Sequence, residues 1–123
     1  SDHAGLLGVL AAEAAFVDGD AWFDGVLLQL DRNRSLLGTL LAEQLPAVQW
    51  TPPQATYLAW LDCRRLDLGD DPADLLLRRA RVALSPGVSY GQLGVGHARL
   101  NFGTSSELLT EMINRIAAVT AAP

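Results

Sequence analysis

His97-Ala98-Arg99-Leu100-Asn101-Phe102-Gly103 alternates polar and apolar side chains, and a period of two marks a strand with one face turned inward. His97, Arg99 and Asn101 share one side, while Ala98, Leu100 and Phe102 share the other. Just upstream lies a loop over residues 85–96 with glycine at positions 87, 91, 94 and 96. Just downstream, Thr104-Ser105-Ser106-Glu107 has the spacing of a capping box, and Leu108, Leu109, Met112, Ile113 and Ile116 form the stripe of a closing helix.

Towards the N-terminus the period changes from two to between three and four. Leu6, Leu7, Leu10, Ala14 and Val17 predict a helix over residues 3–17, ended by Asp18-Gly19. Asp20 is then placed as the cap of a second helix, whose apolar positions run from Trp22 and Phe23 through Leu30, Leu37 and Leu41 to Leu45, where Pro46 stops it. Its length, roughly 25 residues or about 38 Å, suits a strut between two bodies. Val48–Thr51 reads as a short strand, Pro52-Pro53 as an extended turn, and Ala55–Cys63 as a full strand. Both faces of that strand are largely apolar, so it is expected to be covered on both sides. Asp71-Pro72 opens a helix that runs to Ala80, followed by a short strand at Val82–Leu84. The regular strand-helix alternation of a doubly wound fold is absent. The expected class is therefore α+β: a small antiparallel or mixed sheet with packed helices, preceded by a long connecting helix. Residues 121–123 are expected to fray.

Composition narrows the function. The 123 residues, 50% of them hydrophobic, suit one domain with a real core. A net charge of -5 repels a phosphate backbone, which argues against nucleic-acid binding. Arg64-Arg65 and Arg78-Arg79 with Arg81 are flanked by aspartates and read as a solvated, salt-bridged surface. No apolar run is long enough to span a bilayer, so no membrane partner is expected. The lone Cys63, without a disulfide or zinc partner, is read as a packed thiol in a reducing, cytoplasmic compartment.

Candidate chemistry is sparse. The glycine loop has neither phosphate-cradle spacing nor a helix after it. His3 and His97 have no partner set for a triad or a metal, and the carboxylates form no spaced acid-base pair, so no catalytic or metal-binding residue is assigned. Trp22, Trp50 and Trp60 lie in apolar segments and are read as core or interface packing, not as a stacking platform. Arg99 is left with two readings: the exposed side of an ordinary half-buried strand, or a guanidinium facing a cleft and holding a carboxylate through paired donors.

A resemblance bears on that choice. Ala55-Thr56-Tyr57-Leu58-Ala59-Trp60-Leu61-Asp62-Cys63-Arg64, the glycine loop and Arg99-Leu100-Asn101-Phe102 resemble the C-terminal region of pyridoxal-phosphate-dependent C-S lyases of the MalY/PatB type, cystathionine β-lyase-like enzymes of the fold-type-I aminotransferase superfamily. Leu7-Gly8 through Asp24 resembles the segment joining that family's two domains, so nearly the whole chain is covered. The resemblance implies that residues 1–18 are a remnant of the large domain, 19–45 the connecting helix and 46–123 the C-terminal small domain. It also implies that Arg99 binds the substrate's α-carboxylate. The parent enzyme would hold pyridoxal 5'-phosphate, act on amino-acid thioethers and pair as a homodimer. The cofactor's lysine would lie in the missing N-terminal large domain. All nine basic residues here are arginine, so this chain alone is expected to bind no cofactor and to be inactive. Tyr90 and His97 depart from the family pattern, which expects phenylalanine at the first position and an aromatic residue at the second. Two alternatives stand beside the lyase: the same domain of an aminotransferase, and a free-standing amino-acid-binding regulatory domain.

Overall fold

Leu37, Leu41, Leu76, Leu100, Phe102, Leu109 and Ile113 are sealed from solvent and come from four separate elements, so the core is where the helical stripes meet one face of the sheet. The computed structural model describes residues 19–53 and 56–120. Within them the elements are α1 (Gly19–Gln44), β1 (Leu58–Asp62), α2 (Pro72–Ala80), β2 (Ser85–Pro86), β3 (His97–Asn101) and α3 (Ser106–Thr120), with 3-10 turns at Arg64–Leu66, Gly87–Tyr90 and Gln92–Gly94. The expected helix over 3–17, the frayed end at 121–123 and the start of the predicted strand at Ala55 lie outside the described residues.

The long helix is present as expected and ends where proline removes the next donor: the Leu45 N–H still reaches the Leu41 carbonyl at 2.9 Å. Asp20 lies within this helix, not at its cap. The C-terminal half of α1 buries Leu37, Leu40 and Leu41, each such leucine contributing about 1.5–3 kcal/mol. Its N-terminal half leaves Phe23, Leu27 and Leu28 exposed. Asp71 caps α2 by accepting the Asp74 N–H at 3.3 Å, with Pro72 in the first turn, where its missing donor costs nothing. The cap of α3 is one residue later than its sequence signature: the Ser105 hydroxyl, not Thr104, accepts the Leu108 N–H at 3.1 Å.

Among the described residues the sheet has three strands in the order β1-β3-β2, all antiparallel. Two expected strands are corrected. Val48–Thr51 contributes only a bridge between Gln49 and Asp62, and the pairing expected at Val82–Leu84 occurs at Ser85–Pro86. Pro86 is accommodated because β2 is an edge strand, where one proline need not donate. Ala59, Leu61, Ala98 and Leu100 line the core face. The other face of β1 is only partly covered by the described residues: Trp60 is 39% exposed, which departs from the expectation of a strand buried on both sides. The run of apolar residues in β1 reflects an aromatic turned outward, not a second packing layer. No described helix is long and apolar enough to cross a membrane.

Candidate carboxylate-binding site

Register places the site. Trp60 pairs with Arg99, Asp62 with His97, and Leu58 with Asn101, and directly opposed residues project from the same face. Ser85 pairs with Arg99 from the other side. Arg99 therefore stands mid-sheet on the face away from the helices, with Trp60 on one flank and Ser85 on the other.

The guanidinium is held from both sides. Its carbon lies 5.4 Å from the centre of the Tyr90 ring, and Nη2 donates to the Ser85 hydroxyl at 3.4 Å. Its Nε is buried without a hydrogen-bond partner among the described residues, a state that costs about 1–3 kcal/mol. Arg34, the other half-buried arginine, pairs with Asp31 at 2.9 Å. The described ion pairs include no acidic partner for Arg99. A half-buried, unneutralised guanidinium with a donor to spare is suited to a planar anion.

Aromatic rings surround it. Trp60 meets Tyr90 edge to face, with centroids 5.7 Å apart and planes at 88°, and stacks on His97 at 5.2 Å and 16°. The Val95 carbonyl, 2.8 Å from His97 Nδ1, can only accept, so it fixes the proton on that nitrogen. Nε2 is left 3.8 Å from Asp62 Oδ1. Asp62 is itself gripped by Arg64 through two bonds of 2.9 and 2.8 Å, which hold its carboxyl at about 2. Burial pushes the neighbouring Cys63 thiol up to about 12, as expected of a packed cysteine.

The glycine loop is built by backbone contact. Gly87 and Gly94 face one another so closely that a Cβ on either would strike the other's carbonyl, and Gly96 adopts a φ of +77° against the Arg64 side chain. Two 3-10 turns thus fold onto each other and deliver Tyr90 over Arg99. No helix N-terminus follows the loop, and the chain has no lysine, so its residues do not fit attachment of pyridoxal phosphate. Among the described residues no cluster of metal ligands occurs.

Of the polar trio on β3, Asn101 is used structurally, accepting the Gly103 N–H at 2.8 Å. Sequence reasoning missed the contact of Ser85 with Arg99, the stacking of Trp60 on His97, and Asn33. The last is fully buried on α1 and donates to the carbonyls of Phe102 (2.8 Å) and Thr104, tying the helix to the end of β3. An asparagine amid a leucine stripe was the available signal.

Comparison with known proteins agrees with this architecture. No protein-family model matches the chain. In solved structures the fold is that of a domain-sized part of fold-type-I pyridoxal-phosphate enzymes. The PLP-bound C-S lyase of Staphylococcus hominis superposes with a TM-score of 0.78 at 27% identity, over 88% of this chain and 29% of that one. A Corynebacterium diphtheriae protein provisionally described as a PLP-dependent beta-cystathionase gives 0.79 at 36%, over 91% and 30%.

Within that class the chain is a relative of the MalY/PatB-type cystathionine beta-lyases. It is 35% identical to protein MalY of Escherichia coli and 36% identical to cystathionine beta-lyase PatB of Bacillus subtilis, over 93% and 89% of its own length. A Mycobacterium tuberculosis protein provisionally named a cystathionine beta-lyase is 46% identical over 90% of the chain. The chain spans 31%, 30% and 29% of the length of the M. tuberculosis, E. coli and B. subtilis relatives, respectively.

Proposed function

We propose that this chain is the C-terminal small domain of a pyridoxal-phosphate-dependent carbon-sulfur lyase, and that Arg99 binds the α-carboxylate of its amino-acid substrate. The observation that carries the reading is Arg99 itself: half-buried, without an acidic partner, and fixed between Tyr90 and Ser85 on the face of the sheet away from the helices. Residues 1–18 are then a remnant of the large domain, 19–45 the connecting helix and 46–123 the small domain. The length of the relatives supports a partner domain of more than twice this size. The parent enzyme is a cytoplasmic homodimer holding the cofactor, and this chain alone is inactive and binds none.

The reaction converts a cysteine thioether and water into a thiol, ammonium and pyruvate, breaking the Cα–H, Cβ–S and Cα–N bonds, with water supplying the ketone oxygen. This chain's share is orientation. Two charge-assisted bonds from Arg99 fix the carboxylate plane and so the direction of the Cα–H bond, while the Tyr90 and Trp60 rings keep water from competing for the guanidinium. Proton movement and cofactor attachment belong to residues outside this chain.

The test is a graft in which this chain replaces the matching segment of PatB. At about 1.5–3 kcal/mol for each of two charge-assisted bonds, Arg99→Ala is expected to lower kcat/KM by about 10²–10⁴-fold, with Arg99→Lys intermediate. A graft that retains cofactor absorbance yet tolerates Arg99→Ala within about threefold refutes the assignment. Structural likeness to the aromatic aminotransferase of Pyrococcus horikoshii, with a TM-score of 0.66 at 29% identity, gives the transaminase reading its weight. Pyruvate release without added keto acid separates the two reactions.

A further inference from the structure

We infer that Tyr90 is a positioning residue for the carboxylate site, and that the glycine loop is the brace that holds its ring on Arg99. The inference rests on the reading of Arg99 as the α-carboxylate ligand, and it gives a role to a loop that fits neither a phosphate nor the cofactor.

The loop is fixed at its roots and pinched in the middle. The Gly96 N–H donates to the Asp70 carbonyl at 2.8 Å, and the Gly96 carbonyl accepts the Cys63 N–H at 3.0 Å. At the other root Pro86 pairs with Ala98. Between them the contact of Gly87 with Gly94 leaves no room for a methyl, and Gly91 turns the chain with a φ of +97°. Residues 87–96 carry no charged side chain, and Leu93 at the tip is 89% exposed. Tyr90, in contrast, turns its ring back onto Arg99 and Trp60.

Arg99 needs such support. Its side chain is long and flexible, its one hydrogen bond among the described residues spans 3.4 Å, and the described ion pairs include no acid for it. An acid in that place would hold the guanidinium firmly, but it would also neutralise the charge and compete with the substrate. An aromatic face attracts the cation and leaves its charge for the incoming carboxylate. The Tyr90 ring, 5.4 Å from the guanidinium carbon, thus reduces the freedom that Arg99 must lose on binding, and Trp60, edge to face on Tyr90, keeps the ring in place. The ring supplies this contact, so the phenol hydroxyl is dispensable to it.

The test is kinetic, in the PatB graft with cystathionine as substrate and cofactor absorbance read for every variant. Tyr90→Leu is expected to raise KM about 3–10-fold with kcat within about twofold, and Tyr90→Phe, which keeps the ring, to restore KM to within about twofold of the parent. In the Arg99→Ala background Tyr90→Leu is expected to change kcat/KM by less than about twofold, because the group it positions is gone. Gly91→Ala, whose methyl meets nothing within 4 Å but whose φ suits only glycine, strains the turn that follows Tyr90; it is expected to raise KM in the parent graft and to add nothing beside Tyr90→Leu. An unchanged KM in Tyr90→Leu, an equal loss in Tyr90→Phe, or an effect that persists undiminished beside Arg99→Ala overturns the positioning role, and an unchanged KM in Gly91→Ala overturns the bracing role of the loop. Each of these outcomes leaves the carboxylate reading standing, whereas tolerance of Arg99→Ala by itself overturns that reading and this inference with it.

Discussion

Replacing Asn33 tests how the strand carrying Arg99 is anchored. The carboxamide, wholly buried on α1, donates to the Phe102 and Thr104 carbonyls and accepts from Gln29 at 3.0 Å. Asn33→Ala removes three hydrogen bonds, of which the two to the carbonyls are worth about 0.5–1.5 kcal/mol each, and strands two carbonyls, of which the more buried adds about 1–3 kcal/mol. The expected loss is about 2–6 kcal/mol, a large part of the stability of a domain this size. In urea, with a slope of about 1.5–2 kcal/mol per molar, the midpoint should fall by about 1–4 M. Asn33→Asp should be worse at neutral pH, because a buried carboxylate would then face two carbonyls. That environment raises the folded-state pKa of the introduced carboxyl, so its penalty should shrink as pH falls towards about 4 and the protonated group can donate again. Equilibrium unfolding of the chain by circular dichroism reads all three proteins. A midpoint for Asn33→Ala within about 0.3 M of the parent would refute the argument that these bonds hold the helix to the sheet.

Gly87→Ala and Gly94→Ala should each cost well over 2 kcal/mol by driving a methyl into the facing backbone, whereas Gly25→Ala, helical and with open space around it, should gain about 0.5–1 kcal/mol; thermal unfolding ranks the three. Asp62 is lowered from 3.8 to about 2 by Arg64, so its contribution is present above about pH 4 and lost as pH falls through about 2; Asp62→Asn should flatten the acid-unfolding curve in that window. Cys63 is buried with its thiol pushed up to about 12, so a thiol reagent at pH 8 should label it far more slowly in the native chain than in denaturant. Native labelling at the unfolded rate would contradict that burial.

The elements with local chemistry were legible from residues alone. The leucine spacing before Pro46, Asp71-Pro72 and the alternation in His97–Asn101 each carry their own cause, and the structure matches them to within a residue or two. The short strands were misplaced because pairing is a non-local choice. Val82–Leu84 has the better β-forming side chains, yet β3 offers its free edge opposite Ser85–Pro86. The proposal that Arg99 binds a carboxylate drew on the family resemblance, since alternation alone left a solvent-facing reading open. The outer face of β1 was expected to be covered because both faces of the strand look apolar. The missing information was register: once β1 pairs with β3 so that Trp60 opposes Arg99, the indole must leave the core.

Strand β3 divides its labour by parity. Ala98 and Leu100 have no solvent exposure, while the alternate positions 97, 99 and 101 look the other way. Surface chemistry and folding are therefore written on interleaved letters of one short word. Substitutions at 97 and 99 rework what the outward face presents, while the interior that Ala98 and Leu100 build stays constant.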